Sequence, residues 1–450
     1  MFLERSAMQD LKSWKHSTGR QPMIITGARQ VGKTSLLRAF GKMEFKRVHE
    51  FNFEETRSLH KIFEGDLDPQ EIIRELNLAR DLAIDLDNDL ILFDEIQTCP
   101  SALNSLKYFS EKMSQLAIVG AGSLLGLHLS DESFPVGKVD RLTIYPLTFD
   151  EFVRAMTGST VQAEWAAARL SSKVSRALHD RLWLCFLDYL IVGGLPAAVV
   201  DFKSHFKNPT HAHDAYAAAR RRQNLVAKDY VADIAKHAGK INARHIESVW
   251  DHIPLQLSRV MDLSTNRFQF KDVIPGRNSF RDLEGPIDWL TKAMLAIRVP
   301  ICHKAELPLA AFTTKNMFKL YLFDTGLLGA ILDLKPSSIR GFDFGTYKGY
   351  FVENFVAQEL TAERNAAKLF SWNEAKAEIE FLVQGREGPV PIEVKSGTRL
   401  RSKSVASFLE RYHPSLSVIL SGKMPNADKK DGTNMMSLPI YFAGSLLDKL

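Results

Sequence analysis

The fold class this sequence predicts is α/β, with a parallel sheet near the N-terminus and a second α/β region towards the C-terminus. Three stretches carry the prediction. Residues 23–37 read MIITGARQVGKTSLL, an apolar β-type run that meets Gly27 before the apolar positions switch to helical spacing. Residues 89–100 read DLILFDEIQTCP, in which Leu90, Ile91, Leu92 and Phe93 make the unbroken apolar run of a parallel strand covered on both faces. Residues 377–395 hold an alternating strand, AEIEFLV, then a glycine-bounded turn, then VPIEVK.

At 450 residues the chain exceeds what one hydrophobic core holds, so several domains are expected. Its 45% hydrophobic and 25% charged content are ordinary for a soluble globular protein. Residues 1–21 mix charge throughout and lack the apolar centre of a signal peptide. No stretch approaches the run of about 20 apolar residues that a membrane helix needs, so no membrane partner is expected. Cys99, Cys185 and Cys302 are far apart and odd in number, which argues against a disulfide framework and a zinc site. A reducing cytoplasm is the expected compartment. The net charge of +5 permits a nucleic-acid partner without pointing to one.

Taken in order, residues 2–14 space Phe2, Leu3, Met8, Leu11 and Trp14 as a short amphipathic helix. The strand at 23–25 follows, and 27–34 fits G-x-x-x-x-G-K-[ST] between that strand and a helix start, the context the motif requires. Gly27 and Gly32 let the backbone bring its amides close to phosphate oxygens. Those amides join the unpaired N–H groups and positive dipole end of the helix that begins near Lys33. Gly27, Ala28, Arg29, Gln30, Val31, Gly32, Lys33, Thr34 and Ser35 are therefore the expected cradle of a nucleotide. Lys33 suits the β- and γ-phosphates, and the Thr34 hydroxyl suits Mg2+, so ATP and Mg2+ are the expected cofactors.

Residues 45–53 (FKRVHEFNF) read as a second strand and 71–82 as a helix. Asp94 and Glu95 end the buried strand at the carboxyl edge, where open α/β sheets bind ligands. About 60 residues after a phosphate loop, that pair is the expected second half of a nucleotide site. Asp94 would hold Mg2+, and Glu95 would orient the attacking water. The next buried strand, 116–123 (LAIVGAGS), ends at Ser123, the candidate for sensing the γ-phosphate. One more strand is expected within 141–149.

Together GARQVGKT, LILFDEIQ, AGS, FPVGKV and YPLTFDEF resemble the AAA-type bacterial and archaeal ATPases whose chains end in a restriction-endonuclease-like domain of unknown function. The resemblance spans nearly the whole chain. It implies that Lys33, Thr34, Asp94 and Glu95 bind or hydrolyse ATP. Lys138 stands where that family more often has arginine. Arg141, Arg154 and Arg259 stay open as arginine fingers, and an arginine supplied in trans would imply an oligomer.

The pattern of 163–200 is helical and broken at Gly193, Gly194 and Pro196, which read as a packing turn between helices. Arg220, Arg221 and Arg222 read either as a solvated helix face or as a contact to phosphates. Helical patterns at 244–253, 254–261 and 282–293 follow, and LEGPIDWLTKAMLAIRV resembles the second half of a winged helix, a module that reads DNA or a linker that positions domains.

A helix at 349–360 (GYFVENFVAQEL) places Glu353 near its first turn, and alternation puts Glu393 and Lys395 on one face of their strand. This constellation resembles the core of the restriction-endonuclease superfamily. The resemblance implies that Glu380 and Glu393 hold a divalent metal, that Lys395 stabilises charge on a scissile phosphate or orients water, and that Glu353 adds a ligand. Where that superfamily usually has aspartate the chain has Glu380, one methylene longer, with Glu378 on the same face as a substitute. The cluster is then either a working nuclease site or the decoration of an inactive nuclease fold. Arg399, Arg401 and Lys403 beyond it would approach a nucleic-acid backbone or face solvent.

The expected organisation is a P-loop NTPase domain at 1–157, a helical region at 158–240, a winged-helix-like module at 241–300 and a restriction-endonuclease-like α/β domain at 301–450. The expected function is ATP binding and hydrolysis coupled to a C-terminal region whose partner is DNA, RNA or a protein.

Overall fold

The computed structural model describes residues 2–123, 125, 135–208, 212–259, 267–342, 347–363, 368–374, 377–397, 403–430 and 432–450, with only the backbone of 240–241, 257–259 and 428–430. These residues fold into two compact units, 1–145 with 292–294, and 146–291 with 295–450.

The first unit is a five-stranded sheet in the order β2-β3-β4-β1-β5. Its strands are β1 (Met23–Thr26), β2 (Arg47–Asn52), β3 (Asp89–Asp94), β4 (Ala117–Ala121) and β5 (Asp140–Thr143), and every pairing is parallel. Helices α1 (Ala7–Lys15), α2 (Lys33–Glu44), α3 (Pro69–Arg80) and α4 (Pro100–Lys112) accompany it. Each residue of β3 and β4 is buried, as an unbroken apolar run requires of central strands. Asp89 begins β3 at 0% exposure and is tolerated there because Arg47 (2.9 Å) and His49 (2.8 Å) pair with it. Phe53 and Phe93 meet edge to face at 5.5 Å, and Phe51 and Phe63 join them to close the core on one face of the sheet.

The second unit begins with helices α5 (Phe149–Met156), α6 (Ser159–Ser171), α7 (Arg176–Val192), α8 (Pro196–His205), α9 (His213–His237), α10 (Lys240–Arg259) and α11 (Phe280–Lys292). The Gly193–Gly194 turn after α7 is locked from outside. The Gly194 amide donates to Asp324 (2.7 Å), and the Gly194 carbonyl accepts from Leu147 N (2.6 Å). The arginine run is partly structural: Arg220 donates to the carbonyls of Gly326 (3.3 Å) and Leu334 (3.2 Å), and Arg222 pairs with Asp201 at 2.7 Å.

Two expectations are corrected in this region. The helical patterns at 244–253 and 254–261 belong to one helix, α10, which runs through Pro254. Ile246, Val249, Trp250 and Ile253 form a buried stripe at helical spacing, and that packing outweighs the hydrogen bond that proline removes. Downstream of α11, strands β6 (Ala296–Cys302) and β7 (Thr313–Leu322) form an antiparallel pair, but β6 also pairs with β8 (Phe370–Glu374). These strands are thereby the end of a larger sheet instead of the wing of a small module.

That sheet has eight strands in the order β12-β13-β11-β10-β9-β8-β6-β7, adding β9 (Ala377–Gly385), β10 (Gly388–Val394), β11 (Leu416–Ser421), β12 (Asn426–Lys430) and β13 (Thr433–Pro439). Helices α12 (Thr325–Ile331), α13 (Pro336–Arg340), α14 (Tyr347–Ala362) and α15 (Lys403–Tyr412) complete the unit. Every side chain from Phe351 to Leu360 of α14 is buried, Glu353, Asn354, Gln358 and Glu359 among them. Hydrogen bonds make this possible: Asn354 exchanges two with the Leu322 backbone, and Glu359 accepts from Phe149 N at 3.0 Å. Among the described residues no helix is long and apolar enough to cross a membrane.

A candidate nucleotide site and a buried charge cluster

Strand register brings the first site together. Ile25 lies opposite Ala121 and Ala121 opposite Asp94, so β1, β4 and β3 finish level at their carboxyl ends. The loop 27–32, the Asp94–Glu95 pair and Ser123 all leave the sheet at that edge. Local sequence enforces the shape. Gly27 has φ 152°, and a Cβ there would stand 2.3 Å from the Ile144 carbonyl oxygen; Gly32, at φ 93°, is the residue from which α2 starts.

Lys33 is 7% exposed, and its Nζ donates to the carbonyls of Gly27 (2.9 Å) and Ala28 (2.8 Å). Burial pushes its pKa down to about 8, against the opposing pull of Glu95 and Asp94. The Thr34 hydroxyl faces the Asp94 carboxylate at 3.3 and 3.4 Å. Burial, then the neighbouring Glu95 and Glu50, raise the Asp94 pKa. Glu95 follows at φ 50°, a left-handed backbone, and its carboxylate accepts from Gln97 Nε2 at 2.6 Å. Ser123 is buried at 7% exposure, two residues past β4.

Three contributors escape a reading of the motif alone. Arg5 Nη1 donates to the Val31 carbonyl (2.8 Å) and Nη2 to Tyr145 (2.6 Å), bracing the loop from 26 residues upstream. Asn52 reaches Asp94 at 3.5 Å, and Gln97 positions Glu95. Only Gln97 had a signal, its place in the DEIQ run. Of the arginines left open, Arg154 pairs with Asp150 at 3.0 Å, Arg141 lies on β5 opposite Ile24, and the side chain of Arg259 lies outside the described residues. Lys138 pairs with Glu111 at 3.1 Å.

Glu353 of α14, Glu378 and Glu380 of β9, Glu393 of β10 and Lys395 just past it meet in the second unit, and two residues of β7 that the sequence did not single out join them. Lys319, 5% exposed, lies 2.6 Å from Glu378 Oε1 and 3.9 Å from Glu353 Oε2. Tyr321 donates to Glu353 Oε2 at 3.2 Å. Lys395 pairs with Glu393, which is 2% exposed, and Glu380 Oε2 accepts from Val394 N at 3.1 Å. Burial, then Glu393 and Glu353, hold Glu380 well above the usual carboxyl range. Burial also raises Glu353, in spite of Lys319.

Glu353 is not in the first turn of its helix: α14 spans Tyr347–Ala362, so burial and Lys319, not the helix dipole, set its charge state. Among the described residues no group of three or more His, Cys, Asp or Glu side chains is arranged to hold a metal ion. Arg399 and Arg401 lie outside the described residues, and Lys403 begins α15.

Comparison with known proteins assigns the chain in segments. Residues 19–153 match the family described as AAA domain; 185–338 and 348–441 match two families described as domains of unknown function, DUF8612 and DUF4143. Comparison with curated proteins finds no match. Among solved structures, the chain is similar to a Walker-type ATPase of Pyrococcus abyssi at 14% identity, covering 74% of this chain and 96% of that one with a TM-score of 0.45. It is also similar to the ORC1 protein of Aeropyrum pernix in complex with DNA (14% identity, 74% and 93% covered, TM-score 0.31) and to PCH-2 of C. elegans (11%, 49% and 69%, 0.30). The segment that matches the AAA domain, 19–153, is the one that carries the strand, phosphate loop and helix in a parallel sheet.

Proposed function

We propose that the first unit binds ATP with Mg2+ and hydrolyses it, and that nucleotide state governs how the second unit holds a nucleic acid or a protein partner. The observation that carries the ATPase reading is the level ending of β1, β4 and β3, with the Thr34 hydroxyl 3.3 Å from Asp94.

The loop amides of 27–35 and the N-terminus of α2 receive the phosphates. Lys33 Nζ, held now by two backbone carbonyls, exchanges them for phosphate oxygens, a stronger charge-assisted pairing. One hydroxyl and one carboxylate facing each other fit a Mg2+ ion that keeps several waters, so Thr34 and Asp94 would hold it. When bound, the metal offsets charge on the β- and γ-phosphates. Glu95, held by Gln97, orients and polarises the attacking water, and Ser123 contacts the γ-phosphate.

ATP hydrolysis by the purified chain, with and without DNA or RNA, tests the proposal. Lys33→Ala should lose ATP binding, whereas Glu95→Gln should keep binding and lose turnover. Nucleotide binding undiminished in the Lys33 variant would overturn the site. For the second unit, the pairing of both lysines with carboxylates supports binding without cutting. Nucleic-acid binding that differs between ATP and ADP supports that reading; Mg2+- or Mn2+-dependent cutting that Glu393→Ala and Lys395→Ala both remove would replace it with a nuclease.

A further inference from the structure

Glu95 follows β3 and Ser123 lies just past β4, and the side chain of Gln97 holds the first while packing on the residue before the second. Gln97 Nε2 donates to Glu95 Oε2 at 2.6 Å. The other end of the same amide lies over Gly122, which joins β4 to Ser123. A Cβ built on Gly122 would stand 1.9 Å from Gln97 Oε1 and 2.9 Å from Gln97 Cδ.

The amide is fixed at both ends. Its oxygen is buried and, among the described residues, accepts no hydrogen bond, an unfavourable state for a carbonyl group. Turning the amide over would not help, because its oxygen would then face the Glu95 carboxylate, which when ionised only accepts. The pose is thus kept by what the nitrogen holds and by the space that Gly122 leaves.

Gly122 is not needed for its backbone. It is absent from the residues with positive φ, so alanine fits the conformation there. The next obstacle to a Cβ is Leu125 Cγ, at 3.0 Å. The amide is the far end of a long side chain, so a methyl group at position 122 would displace it by rotation about its own bonds and leave Glu95 without its donor.

We propose that Gly122 is a positioning residue for ATP hydrolysis: it seats the Gln97 amide, which fixes the Glu95 carboxylate against the strand end that carries Ser123. One backbone position then ties the group that activates water to the group on the γ-phosphate. The catalytic half of this inference rests on the ATPase reading, whereas the seat itself is read without nucleotide.

The test uses the full chain as Gly122→Ala, as Gln97→Ala and as the two combined. In the nucleotide-free chain with isotope-labelled glutamine amides, the Gln97 resonance, identified by its loss in Gln97→Ala, should shift in Gly122→Ala and in Glu95→Gln. With ATP, Gly122→Ala should lower kcat about tenfold with ATP affinity unchanged, and the double variant should fall no further than either single one. Gly122→Ala should unfold close to the native midpoint, because the amide yields. An unmoved Gln97 resonance in Gly122→Ala would overturn the seat, and native turnover in that variant would overturn the positioning role. A double variant that loses the product of the two single losses would make the residues independent and overturn the link, as would a Gly122→Ala chain that does not fold. A native chain that binds no ATP, or binds it without turnover, would defeat the ATPase reading and the catalytic half with it, while the Gln97 resonance still decides the seat.

Discussion

Two buried lysines in this protein do opposite things. Lys33 and Lys319 are 7% and 5% exposed. Lys33 faces two neutral backbone carbonyls, so desolvation dominates and its pKa falls to about 8. Lys319 suffers the same desolvation, but Glu378, Tyr321, Glu353 and Glu380 outweigh it and hold its pKa well above the ordinary lysine value. A lysine held by dipoles has charge to give to an arriving anion. A lysine held by carboxylates has already given it. Burial alone therefore does not mark a functional lysine; the charge state of its partners does.

The largest effect should come from the chemistry at the first site. Glu95→Gln is expected to cut ATP turnover by roughly 10²–10⁴-fold with binding intact, read by steady-state hydrolysis beside nucleotide titration. Turnover within a few-fold of the native rate would remove Glu95 from the site. Next comes stability. Lys319→Met leaves Glu378 and Glu353 without their cation and should cost about 3–5 kcal/mol in denaturant unfolding. Lys33→Met should stay within about 1 kcal/mol of native, because two lost hydrogen bonds to carbonyls offset the relief of a buried charge. Equal losses at the two positions would erase the contrast between them.

Gln97→Ala should lower kcat by about tenfold, an energy of about 1.4 kcal/mol, with KM unchanged, because Gln97 acts only by holding Glu95. A shift confined to KM would assign Gln97 to nucleotide binding instead. The smallest change is a pH dependence. Lys33 in the free protein has its pKa lowered to about 8, and bound phosphate favours the charged form. ATP affinity should be level below that pH and fall by up to about tenfold per unit above it, with proton uptake on binding seen by calorimetry in two buffers. The same lowering makes folding stability rise with pH between about 8 and 10.5, where only the unfolded chain holds the proton. Lys33→Met should abolish that rise.

Much of the first site was legible before the fold was known, because it is local. The strand, glycines, lysine and threonine of 23–37 lie within one supersecondary unit, and Asp94–Glu95 announce themselves by ending an apolar run. Arg5 and Asn52 were not legible as site residues, since a hydrogen bond from Arg5 to Val31 depends on a packing that no local pattern encodes. Pro254 misled for the complementary reason. Proline is a local breaker, and only the buried stripe of Ile246, Val249, Trp250 and Ile253 carries α10 through it.

By itself the sequence determined which side chains carry charge and at what period they recur, and so the phosphate loop, the carboxylate pair after β3, and the shared face of Glu393 and Lys395. What tertiary structure decided is the electrostatic balance of each site. Lys319 lies 59 residues before Glu378, on a strand whose pattern offers no motif, and only the pairing of sheet and helix brings it against the carboxylates. Covalent spacing sets which groups share a face over a few residues, whereas desolvation and charge pairing act through space and depend on every element packed around the site.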